Sequence, residues 1–299
     1  MGKFAKKDPL QVAQKQAANV MRTMQGTHIK SVGTVRNYEE ALSRVAQYAN
    51  SELSISLREI TPTQAIQYLE RRSEEVGQKT LDMERQAIQA MMHYTSKRLG
   101  IDERLERVKS EQEQILKSRA YTPEQVQMIS AAQQPQNALS TQIAHAAGLR
   151  GHELLTLRPL ADRQPSDRPA LDTKFQGRDG ERYTVHGKGG LVREVCIPRA
   201  LADQLEARRL AEPRTVTDRG IKYRQHYDIG AGKSWATSFS SAANRALGWS
   251  EGAHGVRHSY AQERMHELQN SGMTRSLALE VVSQEMGHFR PEITETYLR

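Results

Sequence analysis

One cysteine, Cys196, is all that the 299 residues contain. A single thiol excludes an internal disulfide, and with it cysteine-rich zinc sites and iron–sulfur clusters. Long apolar runs are missing too. No stretch of 18 hydrophobic residues occurs, which excludes a membrane-spanning helix. The opening, MGKFAKKDPLQVAQKQ, holds no apolar segment resembling a signal peptide. These absences lead to the expectation of a cytoplasmic protein. Hydrophobic residues reach only 37%, low for a globular chain. The length still allows two domains, each with a core of its own.

Charge is plentiful and unbalanced. Lys and Arg number 43 against 35 Asp and Glu, a net +8, and both sides of residue 120 are positive. This points to a polyanionic partner, most simply nucleic acid. The patterning divides the chain into an arm or short helix over residues 1–28, where Val12 and Val20 give a weak helical pattern, a helical domain over 29–101, a charged linker over 102–120 and a second domain over 121–299. In the helical domain, Val35, Tyr38, Leu42, Val45 and Tyr48 recur at three- and four-residue spacing, one face of a helix. Thr61-Pro62 begins another helix and Thr80 a third. Thr122-Pro123-Glu124 opens the second domain with a helix, and 138–148 is the next. Residues 159–180 read as irregular. Residues 182–186 and 192–198 read as two strands joined by Gly187-Lys188-Gly189-Gly190. The rest reads as helical: 199–210, 234–247, 254–270, 275–286 and 291–298. The fold class is mainly α with a small β-hairpin or sheet.

Two familiar chemistries are rejected on their spacing. Gly232-Lys233-Ser234 ends like a phosphate-binding loop, but the defining first glycine, five positions earlier, is Tyr227. His254 and His258 have the spacing of a helical metal pair. The residue after His254 is Gly255 rather than glutamate, and no carboxylate trio or cysteine stands beside them. No metal and no cofactor is expected.

What remains is an ordered set: Arg150 and Glu153 in GLRGHELLTL, Lys188 in VHGKGGLVREVCIP, His254 and Arg257 in HGVRHSYAQ, then His288 and Tyr297 in MGHFRPEITETY. Each is ordinary alone. In this order and with this terminal spacing they resemble the tyrosine recombinase (phage-type integrase) family, over roughly residues 28 to 299. Met286 stands where leucine is usual. The resemblance implies a SAM-like helical core-binding domain followed by a mixed α/β catalytic domain. It also implies cutting and rejoining of DNA through a 3′-phosphotyrosine and a Holliday junction, for integration or excision of a mobile element or phage.

The chemistry suits these residue types. Negative charge develops on phosphate oxygens in the transition state, and two guanidiniums can fork onto them. Arg150 and Arg257 are the candidates. Tyr297 is the nucleophile by the resemblance, with His254 as proton acceptor because a phenol is protonated at pH 7. His288 bonds a phosphate oxygen or orients the site. The resemblance assigns Lys188 to the leaving 5′ oxygen and a supporting role to Glu153. It further implies double-stranded DNA sites as partner and a homotetramer on DNA, from a monomer or weak dimer in solution. Nucleoid association and accessory DNA-bending proteins fit the same picture. Lys30, Arg36, Lys79 and Arg85 are candidate DNA contacts. A DNA-binding relative that does not cut, a telomere resolvase and a type IB topoisomerase-like enzyme are the alternatives. Many members of the family continue past the tyrosine with a segment that docks on the next protomer, whereas only Leu298 and Arg299 follow here. The expectation is that subunits couple otherwise, with residues 1–28 as a candidate contact.

Overall fold

The computed structural model describes residues 8–114 and 117–299. The chain divides into two compact units, Met1–Ile115 and Leu116–Arg299. Among the described residues no helix is long and apolar enough to cross a membrane.

The first unit is helical: α1 (Pro9–Met24), α2 (Val32–Glu52), α3 (Pro62–Ser73) and α4 (Gln78–Met91), the last running into a π turn over Met92–Ser96. Its core joins Val20, Met24, Leu42, Val45, Leu69 and Ile88. Of the arm or short helix expected over residues 1–28, the structure shows the helix. From Pro9 to Met24 it is a helix packed along α2, with Ala13, Ala17, Val20, Met21 and Met24 buried. Lys3, Lys6 and Lys7 lie outside the described residues. The charged stretch expected as a linker begins as part of this unit. Leu105 is buried, its backbone N–H donates to Gln89 at 3.0 Å, and the N–H of Ser110 donates to Gln78 at 2.9 Å.

In the second unit, α5 (Pro123–Ala131) and α6 (Pro135–Ala146) lead to a three-stranded antiparallel sheet of β1 (Arg158–Pro159), β2 (Glu181–His186) and β3 (Val192–Ile197). After α7 (Arg199–Glu206) comes a separate two-stranded ribbon, β4 (Arg209–Asp218) and β5 (Ile221–Tyr227). The helices α8 (Gly232–Leu247), α9 (Gly255–Asn270), α10 (Arg275–Glu285) and α11 (Pro291–Thr294) complete it, with a 3-10 turn over Glu295–Tyr297. The expected β2–β3 hairpin is present. The β4–β5 ribbon is absent from the sequence reading, which left 211–233 without strands.

Local chemistry explains several boundaries. α3 and α5 start alike. In each, a threonine Oγ1 accepts from the glutamine N–H three residues on at 3.3 Å, and that glutamine's side chain accepts from the threonine N–H at 3.0 Å. Proline then fills the first helical position, where no N–H is needed. The sheet and α5, α6 and α8 share one core around Ile143, Leu154, Val185, Val195, Trp235 and Phe239. A second core gathers Tyr260, Met265, Leu279, Val282 and Met286 from α9, α10 and the turn after α10, and Tyr297 and Leu298 pack against it. This second core fixes the chain's last turn against α9.

The buried seam of α1 yields a first prediction. Met21→Ala should lower the unfolding free energy by about 2–5 kcal/mol, the usual cost of truncating a buried methionine. Thermal melting checks it; an arm loose in solvent would leave the melting temperature unchanged.

Candidate active site

The site begins at the end of α6. Gly148 adopts a left-handed conformation (φ +58°), and a Cβ there would come within 2.7 Å of the Tyr260 ring. The tight turn lets its carbonyl face inward and delivers Arg150 and Glu153 one after the other. Glu153 starts a 3-10 turn and is fully buried. Its carboxylate accepts from the Arg150 backbone N–H at 2.8 Å and from the Arg150 guanidinium at 2.7 Å.

Two more guanidiniums converge on it. Arg193 is on β3, in register with Val185. The two-residue period of a strand puts it on the inward face with Val195 and Ile197. It is buried, and it binds Glu153 at 2.7 Å, the Gly148 carbonyl at 3.2 Å and the Glu285 carbonyl at 2.6 Å. Arg257, in the first turn of α9, is completely buried and stands 3.9 Å from Glu153. It also donates to the carbonyls of Gly148 and, at 3.2 Å, Met286. Burial alone would raise the Glu153 pKa; Arg193, Arg257 and Arg150 overcome it and hold the carboxyl far below the usual range. Burial, then repulsion from Arg150, pushes Arg257 down to about 10, still charged at neutral pH. Three cations therefore surround one anion, leaving an excess of positive charge.

Tyr297 lies against this cluster in its own chain. Its ring centroid is 4.7 Å from that of His258, 5.0 Å from His288 and 5.6 Å from His254. The Arg257 guanidinium carbon is 5.6 Å from the ring. Gln262 of α9 donates to the carbonyls of Tyr297 at 3.1 Å and Arg299 at 2.9 Å. The phenol oxygen has no hydrogen-bond partner among the described residues.

The histidines have defined states. His288 Nε2 is 3.1 Å from Arg257 Nη2, and its Nδ1 is 2.9 Å from Thr294 Oγ1. A guanidinium only donates, so Nε2 must accept and the ring is neutral, with its proton on Nδ1. Burial, then Arg257, pushes its pKa down to about 3. Crowding by protein and the charge of Arg257 take His254 to about 4, although its outer edge is exposed. Burial takes His258 to about 4 as well.

Arg150, Glu153, His254, Arg257, His288 and Tyr297 are thus brought together. Lys188 stands in the turn between β2 and β3, and its side chain lies outside the described set. A cleft of about 290 Å³ opens beside Arg150 and His254, with His152, Asp218 and Arg219 also in its wall. Of the four candidate contacts in the first unit, Lys30 and Lys79 are exposed. Arg36 is 3.8 Å from Glu40, and Arg85 is engaged by Gln89 and the Leu105 carbonyl. Sequence reasoning missed Arg193 and weighed His258 only as a metal ligand. The alternation in Val192-Arg-Glu-Val-Cys-Ile197 is the signal that would have placed Arg193 inside. No group of three or more His, Cys, Asp or Glu able to hold a metal occurs among the described residues. The Gly232 loop, rejected as a nucleotide site, has the Asp218 carboxylate bound to the Lys233 N–H at 2.8 Å.

No family model and no curated protein matches the sequence. The fold has clear counterparts among solved structures. It is the fold of the tyrosine recombinases. One counterpart is the XerH site-specific recombinase bound to difH substrate in a pre-cleavage complex: 14% identity, TM-score 0.56, covering 97% of this chain and 92% of that one. Another is the Tn1549 transposon integrase in complex with transposon right end DNA: 15% identity, TM-score 0.58, 96% and 94%. A lambda integrase tetramer bound to a Holliday junction gives 13% identity, TM-score 0.59, 95% and 76%.

The depressed histidines set a pH dependence. Unfolded, each has a pKa near 6.5; folded, His254, His258 and His288 sit at about 4, 4 and 3. Between these values the unfolded chain binds more protons, so stability is greatest above pH 6.5 and is lost as pH falls toward 4. Calorimetric melting temperatures should drop over that interval; a flat profile would contradict neutral imidazoles at the site.

Proposed function

We propose that this protein is a site-specific tyrosine recombinase that breaks and rejoins duplex DNA through Tyr297. The observation that carries the reading is the packing of Tyr297 against His254, His258, His288 and Arg257 within one chain. The fold shared with DNA-bound recombinases supports it.

In this reading the scissile phosphate sits over the guanidiniums of Arg150 and Arg257, whose planar forks match its non-bridging oxygens. Glu153 and Arg193 hold those forks in place, so little reorganisation is needed as charge builds on phosphorus-bound oxygens. The Tyr297 oxygen attacks phosphorus, an O–P bond forms, and the P–O5′ bond breaks. The phenol proton passes to His254, which is neutral at pH 7 and able to accept. The arriving phosphate raises the proton affinity of that imidazole, because a nearby anion stabilises its charged form. Lys188 supplies a proton to the departing 5′ oxygen. His288, held by Thr294, orients Arg257.

The product is a 3′-phosphotyrosine and a free 5′-hydroxyl. The phosphoester is conserved, so a 5′-hydroxyl from another strand reverses the step with no ATP and no cofactor. The positive charge that a metal would bring comes from arginine and lysine. Two such exchanges between paired duplexes, through a Holliday junction in a tetramer, complete recombination. Service to a mobile element or phage, and a place on the nucleoid, follow from the same reading. Accessory DNA-bending proteins are compatible with it.

Expressed in cells, the wild-type protein should form DNA adducts that survive denaturant, and sequencing the attached fragments reveals the site. Tyr297→Phe should give no adduct while still binding duplex DNA; an adduct in that variant would reject Tyr297 as nucleophile. On a nicked duplex carrying the recovered site, Arg150→Lys should slow cleavage by roughly 100-fold or more, the scale of losing one preorganised oxyanion contact. Denaturing gels measure both, and EDTA should leave the wild-type rate unchanged.

A further inference from the structure

The β4–β5 ribbon has two unlike faces. Alternation puts Tyr223, Gln225 and Tyr227 of β5 inward: Gln225 and Tyr227 are buried, and Tyr223 and Val216 pack on the core of the second unit. The same alternation puts Lys222, Arg224 and His226 outward, with Thr217 and Thr215 directly across from Lys222 and Arg224. Lys222, Arg224, Thr215 and Thr217 are all exposed. The outward face offers cations and hydroxyls and no carboxylate.

Three of the acids nearby are already engaged. Asp228 pairs with Arg214 at 2.9 Å, Asp218 binds the Lys233 N–H, and Glu206 accepts from Tyr183, Tyr227 and Arg209. Glu212 lies in the irregular stretch between the paired residues Arg209 and Arg214. Lys222, Arg224, Arg219 and Arg158 make no ion pair among the described residues. The base of the outward face is a cationic cluster: His226 has a buried, unpartnered Nε2, and Arg158, Arg209, Arg163 and Arg224 all depress its protonation behind the first cause, burial. Arg209 is offset by Glu206 and Asp162, which leaves Arg158, Arg163 and Arg224 with no ion pair among the described residues, an arrangement that an anion would relieve.

The ribbon is anchored beside the catalytic cleft. A two-residue turn, Arg219-Gly220, with both residues left-handed, matches the twist of a hairpin. It sets Arg219 in the same cleft wall as Arg150 and His254.

We propose that the outward face of the ribbon, Lys222 and Arg224 with Thr215 and Thr217, grips the phosphate backbone of duplex DNA next to the site of cleavage. Lysine, arginine and threonine side chains are the usual donors to phosphate oxygens, and charge complementarity selects a polyanion. The assignment rests on the DNA-acting reading above and adds to it a contact surface separate from the catalytic residues.

The test is fluorescence anisotropy of the full chain with a labelled mixed-sequence DNA duplex, titrated across a chloride series. Lys222→Gln and Arg224→Gln should each weaken binding and lower the slope of log affinity against log salt by about one, and the double variant by about two. Arg199→Gln removes an exposed cation already paired with Asp179 and should leave the slope unchanged. The charge-preserving pair Lys222→Arg and Arg224→Lys should restore it, which separates charge from folding. A double variant with the wild-type slope overturns the proposal while leaving the recombinase reading standing. Weakened binding to single-stranded DNA alone also overturns it. Wild-type protein without salt-dependent duplex binding would sink the recombinase reading itself, and this surface with it.

Discussion

A buried carboxylate among three guanidiniums is the interaction on which the second unit depends. Without Glu153, Arg150, Arg193 and Arg257 would repel one another in a place with little water to screen them. With it, the turn after α6, β3 and the start of α9 are tied to one point, because each supplies one of the arginines. The Gly148 carbonyl, which accepts from both Arg193 and Arg257, closes the same knot from the other side. A cluster of arginines thus needs an internal anion to stand together in the core, and it still carries net positive charge.

The rest of the site is arranged around that knot. Met286 and Glu285 bring carbonyls to Arg257 and Arg193 from the end of α10, and the chain then returns through His288 and Thr294 to Tyr297. A second buried pair, Arg264 with Glu285 at 3.0 Å, joined by the Tyr260 hydroxyl at 2.8 Å, fastens α9 to α10 beneath it. Tyr297 and the arginine cluster therefore share a support, the core of Tyr260, Met265 and Val282.

Much of this was legible in the sequence, for physical reasons that differ by element. The capped starts at Thr61-Pro62 and Thr122-Pro123 declare themselves because capping chemistry is local. The β2–β3 pair is legible through its glycine turn, and the ordered boxes around Arg150, His254, Arg257, His288 and Tyr297 fall at one place in the fold. What escaped had weak apolar contrast. α1 was legible only as an arm or a short helix, because Ala13 and Ala17 on its buried face contrast little with the surrounding glutamines and Val20, Met21 and Met24 fall at one end of it. The β4–β5 ribbon is covered on one side only, and its inward residues include Pro213 and Gln225, which read as loop. Arg193 escaped because a charged side chain on a strand ordinarily faces solvent, and the counter-charge that holds it inside, Glu153, is 40 positions away in the chain.

The neutral imidazoles have a further consequence. With His254, His258 and His288 all neutral from well below pH 7, the positive charge beside Tyr297 comes from guanidiniums, and Arg257, pushed down to about 10 by burial, keeps its own. An anion drawn in beside these neutral rings raises their affinity for protons, so uptake of the anion and uptake of a proton are linked.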